Sequence, residues 1–160
     1  MSTSAQSTDV WLNAGQQNAW RCWLEATVLL ADRLEHDLKL SNDLSNAEYE
    51  VMVRLSESPD RRLRMGDLAD QTLVSKSRLS HQISRMESAG LVRREDCPED
   101  RRGAYAALTD SGWERLVQAA PAHVASVRRW LVEALTPEQF IELGALCSRV
   151  VGHLKVDADN

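Results

Sequence analysis

Arg78, His81, Gln82 and Arg85 fall within eight residues at steps of three, one and three. At about 100° per residue this spacing puts them on one side of a helix, roughly 120° from Leu79, Ile83 and Met86. The polar side carries hydrogen-bond donors and no acid, which is the chemistry of base-edge reading in a DNA major groove: Arg pairs with guanine, and Gln matches adenine. Ser75, Lys76 and Ser77 open the same segment, where free backbone N–H groups and a cation suit phosphate or base contact. The alternative is an ordinary amphipathic surface helix, but such helices usually mix charge signs for salt bridging.

A second cluster lies downstream in Asp96-Cys97-Pro98-Glu99-Asp100-Arg101-Arg102-Gly103. Arg101 and Arg102 are placed to reach a minor groove, whose negative potential attracts Arg. Asp100 would orient Arg102 through a charge-assisted hydrogen bond. A solvated turn is the plain alternative, favoured by the acids at Glu99 and Asp100. Other chemistries lack their residues: there is no Gly-rich phosphate loop, no placed Ser/His/Asp or Cys/His set and no paired carboxylates in an apolar setting, so no enzyme is expected. Cys22, Cys97 and Cys147 are odd in number and far apart, and the four histidines have no metal-ligand spacing, so neither a disulfide framework, a metal nor a cofactor is expected.

The elements that must position these groups are mostly helical, since the chain has only seven glycines and four prolines. A first helix is predicted from about Val10 to Leu40, with Trp20, Trp23, Leu24, Ala31, Leu34 and Leu38 as its apolar stripe. A helix of about 30 residues outruns the core of one small domain, so a second subunit is the simple partner for the surplus. Ser45 and Glu48 make a capping box, with Leu44 and Tyr49 as its staple, and open a second helix at Asn46 that stops near Ser58-Pro59. Met65–Gln71 is a short third helix. A three-residue link leads to the fourth, capped by Ser75 and ended at Ala89-Gly90, which is a helix-turn-helix arrangement. Leu91–Glu95 and Ala104–Leu108 read as the strands of a hairpin around the charged tip. Thr109 caps a fifth helix running to about Leu135, kinked or interrupted at Pro121. Thr136-Pro137-Glu138-Gln139 opens a sixth, striped with Phe140, Leu143, Leu146, Val150 and Leu154.

The 160 residues carry a net charge of −5, which by itself argues against nucleic acid. The distribution reverses that argument. Arg61 to Arg102 holds ten Lys/Arg and seven Asp/Glu, a balance of +3, while the remainder balances at −8. A basic centre between acidic flanks fits a DNA-reading middle. Met1 to Asp9 is polar, without signal-peptide character, and reads as a disordered lead; no apolar run is long enough to span a membrane, so a cytoplasmic location is expected.

With Gly90-Leu91-Val92-Arg93-Arg94, the tip Asp100-x-Arg102, and Leu108-Thr109-Asp110-Ser111-Gly112 in place, the sequence resembles the MarR family of multiple-antibiotic-resistance-type regulators over about Trp20 to Leu154. The resemblance implies a mainly α winged helix-turn-helix with long N- and C-terminal dimerisation helices and one β-hairpin wing. A single domain over 10–155 would divide into a DNA-binding part, 46–108, and dimerisation helices, 10–45 and 109–155. The implied function is that of a homodimeric regulator, most often a repressor, on double-stranded DNA, with the fourth helix in the major groove and the wing in the minor groove. It also implies control by a small aromatic ligand, or by oxidation, where the two parts meet. Trp20, Trp23 and Tyr49 are the residues expected to line such a pocket, although plain core or dimer packing carries more weight for them. Cys22 lies early in the first helix, as the reactive cysteine does in the peroxide-sensing branch of the family. A buried structural Cys22 is the heavier reading, an exposed Cys97 is expected in the wing, and Cys147 is expected in the core. The rivals are a thiol-based redox sensor on the same fold and a winged-helix module that binds protein instead of DNA.

Overall fold

The computed structural model describes residues 10–97 and 103–158. Helix α1, Ala14–Asn42, begins four residues later than the predicted start at Val10, because Asn13 closes a capping box with Gln16. Its end is set by Asp43 in the left-handed region, with the Asp43 amide donating back to Lys39. Helix α2, Asn46–Ser56, starts where the Ser45/Glu48 box predicts, and the staple residues Leu44 and Tyr49 are both buried. Helices α3, Met65–Thr72, and α4, Lys76–Ser88, follow with the expected short link, in which Leu73 takes a positive φ of 56°.

The hairpin is present as β2, Val92–Asp96, and β3, Ala104–Leu108, but it belongs to a three-stranded antiparallel sheet. The third strand, β1 at Arg62–Arg64, pairs Arg62 with Ala107 and Arg64 with Tyr105, giving the order β1-β3-β2. Three residues with two arginines carry no period-2 signal long enough to read in sequence.

Helix α5, Asp110–Trp130, runs through Pro121 without interruption. Val117 and Pro121 are both exposed, so water can serve the carbonyl that the missing N–H leaves free. The helix stops at Trp130, short of Leu135, and a 3-10 turn at Val132–Ala134 leads to α6, Pro137–Ala158.

Two bodies of contact result. Met52, Leu55, Leu68, Leu79, Ile83 and Met86 are fully buried between α2, α3, α4 and the sheet. Each contributes on the order of 1.5–3 kcal/mol of burial free energy, which fixes the pitch of α4. Helix α5 lies along α1, where Asp37 accepts hydrogen bonds from Ser126 at 2.9 Å and from the Trp130 indole at 2.7 Å. Those two donors hold the Asp37 carboxyl below the ordinary carboxylate range. Outside these contacts the long helices are under-packed. In α1 only Leu38 is buried, and among the described residues α6 contributes none to the core. No helix among the described residues is long and apolar enough to cross a membrane.

Candidate nucleic-acid interface

Helix α4 is capped by Ser75, whose hydroxyl accepts from the Arg78 amide at 3.3 Å. Leu79, Ile83 and Met86 anchor one side, and Lys76, Ser77, Arg78, His81 and Arg85 are exposed on the other. Gln82 is a correction. It is only 4% exposed, it stands with the core face, and its side-chain nitrogen finds no acceptor among the described residues. Helical spacing explains the outcome: Gln82 lies about 60° from Leu79, on the border of the two faces, whereas Arg78, His81 and Arg85 lie well beyond it.

The acid of α4, Glu87, does not interrupt the reading face. Its carboxylate accepts from the Arg94 amide at 2.9 Å. The Arg94 guanidinium reaches back to the Ser80 carbonyl at 2.8 Å and the Ser84 hydroxyl at 3.0 Å, clamping β2 to α4. The sequence reading gave Arg94 no role beyond its place in the Gly90–Arg94 stretch; its position four residues past the Gly90 turn was the available signal. Gly90 itself has a φ of 74°, a conformation that glycine adopts without strain.

At the base of the hairpin the Cys97 amide donates to the Gly103 carbonyl at 3.3 Å. Cys97 is buried, contrary to the exposed position expected for it in the wing. Asp100, Arg101 and Arg102 lie outside the described residues.

The three aromatics expected to share a pocket do not. Trp20 and Trp23 stand half exposed on α1 and line an apolar groove with Leu143, Leu146, Cys147 and Val150 of α6. Tyr49 lies elsewhere, stacked on His123 of α5 with ring centroids 4.3 Å apart. Cys22 is exposed on α1 in this chain, not buried as the heavier reading held, and Cys147 is half-buried beside the two tryptophans.

Burial lowers the pKa of His123, against a smaller opposing pull from Glu50. A histidine with a depressed folded pKa binds protons more readily when unfolded, so it lowers stability as pH falls from its unfolded value toward the folded one. Stability should therefore decline as the solution is acidified below about pH 6.5. His123→Phe should flatten that decline, read as urea midpoints across the range; an unchanged slope would assign the decline to other groups.

A sequence model of the MarR family matches residues 42–103. The crystal structure of AbsC, a MarR family regulator from Streptomyces coelicolor, is 50% identical and superposes with a TM-score of 0.86, covering 91% of this chain and 97% of that one. Sco3205 from the same organism, solved in complex with DNA, is 46% identical with a TM-score of 0.87, covering 90% and 91%. The transcriptional regulator HosA of Escherichia coli O111:H- is 34% identical over 89 residues, which span 56% of this chain and 62% of HosA.

Proposed function

The chain belongs to the MarR family of transcriptional regulators, and from that premise we propose that it acts as a homodimeric repressor on a pseudo-palindromic operator. The observation that carries this reading is the acid-free outer face of α4, held at a fixed pitch by a fully buried inner face. Two such helices related by a dimer axis would enter successive major grooves about one helical turn apart. Arg78, His81 and Arg85 then read base edges, and Ser75, Lys76 and Ser77 meet phosphates at the helix N-terminus. Asp100, Arg101 and Arg102 are assigned to the minor groove. Residues 46–108 form the DNA-binding part, and 10–45 with 109–155 form the dimerisation part. A small aromatic effector acting between the two parts changes the separation of the reading helices, and the protein works in the cytoplasm. The similarity to Sco3205, whose structure holds DNA, supports the DNA-binding part of this reading.

Fluorescence anisotropy on the upstream intergenic duplex, against a scrambled control across a salt series, tests it. Specific binding with a steep salt slope is expected, and equal weak binding to both duplexes would count against it. Arg78→Ala should cost about 1–3 kcal/mol, concentrated at one base pair, while Arg102→Ala should weaken every duplex and reduce the salt slope by about one. An equal loss on all sequences for Arg78→Ala would demote that residue to a backbone contact.

A further inference from the structure

Helices α1, α2 and α5 meet around a cleft of about 410 Å³, lined by Leu34, Asn46, Ala47, Tyr49, Glu50 and His123. A cleft of that size accepts a ligand of one or two rings. Leu34, Ala47 and the stacked pair Tyr49–His123 provide apolar and aromatic wall. The polar part of the lining is unusual because two of its atoms are buried and find no partner among the described residues: Asn46 Oδ1 and His123 Nδ1. Buried polar groups are ordinarily paired, so two orphans in one lined cleft point to a missing partner.

The chemistry of those atoms is defined by their neighbours. Asn46 donates through Nδ2 to the Ala31 carbonyl at 3.2 Å, and its backbone N–H donates to Glu35 Oε2 at 2.7 Å, which leaves Oδ1 as an unpaired acceptor. Burial lowers the pKa of His123, which favours the neutral ring, and in the tautomer that carries the proton on Nε2 its Nδ1 is an acceptor. Glu50 is the charged residue of the lining, and its Oε1 is shared by Arg54 Nε at 2.8 Å and a terminal Arg54 nitrogen at 2.7 Å. It is also the charge that acts on both Tyr49 and His123. No Lys or Arg is among the six lining residues. An aromatic carboxylate would therefore bring its charge beside Glu50 and find acceptors where it needs donors.

We propose that this cleft binds a planar aromatic nitrogen base, an amidine or arylamine of one or two rings, whose N–H groups donate to Asn46 Oδ1 and His123 Nδ1 beside Glu50. This deepens the effector reading and rests on it for its regulatory consequence, because the occupant would bridge α2 of the DNA-binding part to α1 and α5 of the dimerisation part. The binding chemistry stands on the cleft alone.

Benzamidine and benzoate, matched in shape and opposite in charge, are the probes. Calorimetry and NMR on the full chain, with the His123 ring and Tyr49 resonances followed, should show benzamidine binding at millimolar concentration or below and perturbing both residues, with benzoate inert. His123→Phe keeps the ring stack and removes the acceptor; Glu50→Gln keeps the shape and removes the charge. Each should weaken benzamidine at least about tenfold at about pH 7.5, above the range in which His123 affects stability, with circular dichroism showing the fold retained. Benzoate binding as tightly as benzamidine, benzamidine shifts that avoid His123 and Tyr49, or no binding of either probe would each overturn the proposal. Benzamidine seated at His123 with no change in operator affinity would uphold the cleft's chemistry and overturn the effector reading alone.

Discussion

A Leu146→Asp variant is expected to run as a monomer and to bind an operator duplex at least about 100-fold more weakly than the wild type. The expectation follows from what the long helices leave uncovered. Leu146 is 51% exposed in this chain, and around it on α6 Ile141, Val150, Val151 and Leu154 are exposed as well. Across the groove α1 presents Trp20, Trp23, Leu24, Val28 and Leu29, all exposed. A contiguous apolar surface of this extent is uncommon on a monomer and marks a protein contact. A carboxylate at Leu146 meets solvent in the single chain, so the protomer fold should hold, with its circular dichroism unchanged. In a dimer the same carboxylate is desolvated without a partner, which disfavours association. Two half-sites linked through one dimer gain about 10²–10⁴ in avidity over a single reading head, and the monomer forfeits that factor. Light scattering after size exclusion reads the first effect and anisotropy the second. A dimeric variant with wild-type affinity would move the interface away from the α1–α6 groove.

Although Cys147 of α6 was expected in a core that the protomer does not give it, the apolar stripe of that helix was already legible in Phe140, Leu143, Leu146, Val150 and Leu154. The same is true of α2 and α4, because the Ser45/Glu48 and Ser75 caps are local hydrogen-bonding signals that tertiary packing did not override. What escaped was whatever depended on neighbours distant in sequence. Strand β1 exists because β3 offers it a free edge, which no property of Arg62-Leu63-Arg64 announces. Trp20 and Tyr49 were grouped by type, yet the fold sends one toward α6 and the other toward His123. Gln82 was assigned by face membership when its angle put it at the margin, and the packing of α4 turned it inward. The cleft of Asn46, Glu50 and His123 joins residues more than 70 positions apart, each unremarkable in its own segment.

The second large effect is expected at Gly112, where alanine should destabilise the fold by about 3 kcal/mol and weaken DNA binding with it. Gly112 lies in the first turn of α5. A Cβ built there falls on the Leu91 carbonyl oxygen and comes within 2.7 Å of Leu108 Cδ1. The first of these is backbone and has no room to yield. The Leu91 carbonyl accepts the Thr109 amide at 3.1 Å and the Thr109 hydroxyl at 3.0 Å, and that hydroxyl in turn accepts the Gly112 amide at 2.9 Å. The Leu91 amide donates to Met86 at the end of α4, 2.9 Å away. One residue therefore ties the reading helix, the root of the wing and the start of α5, and the glycine is what lets α5 approach it. This gives the Leu108-Thr109-x-x-Gly112 stretch a physical reason: cap, tie and close approach. Gly66→Ala is the control, since nothing lies within 4 Å of its added Cβ and it sits inside helix α3. It should leave stability unchanged or raise it by about 0.5–1 kcal/mol. Urea midpoints on the two variants decide the matter. If Gly112→Ala melts with the wild type, α5 can stand off from Leu91, and the rigid link between the root of the hairpin and α5 is not there.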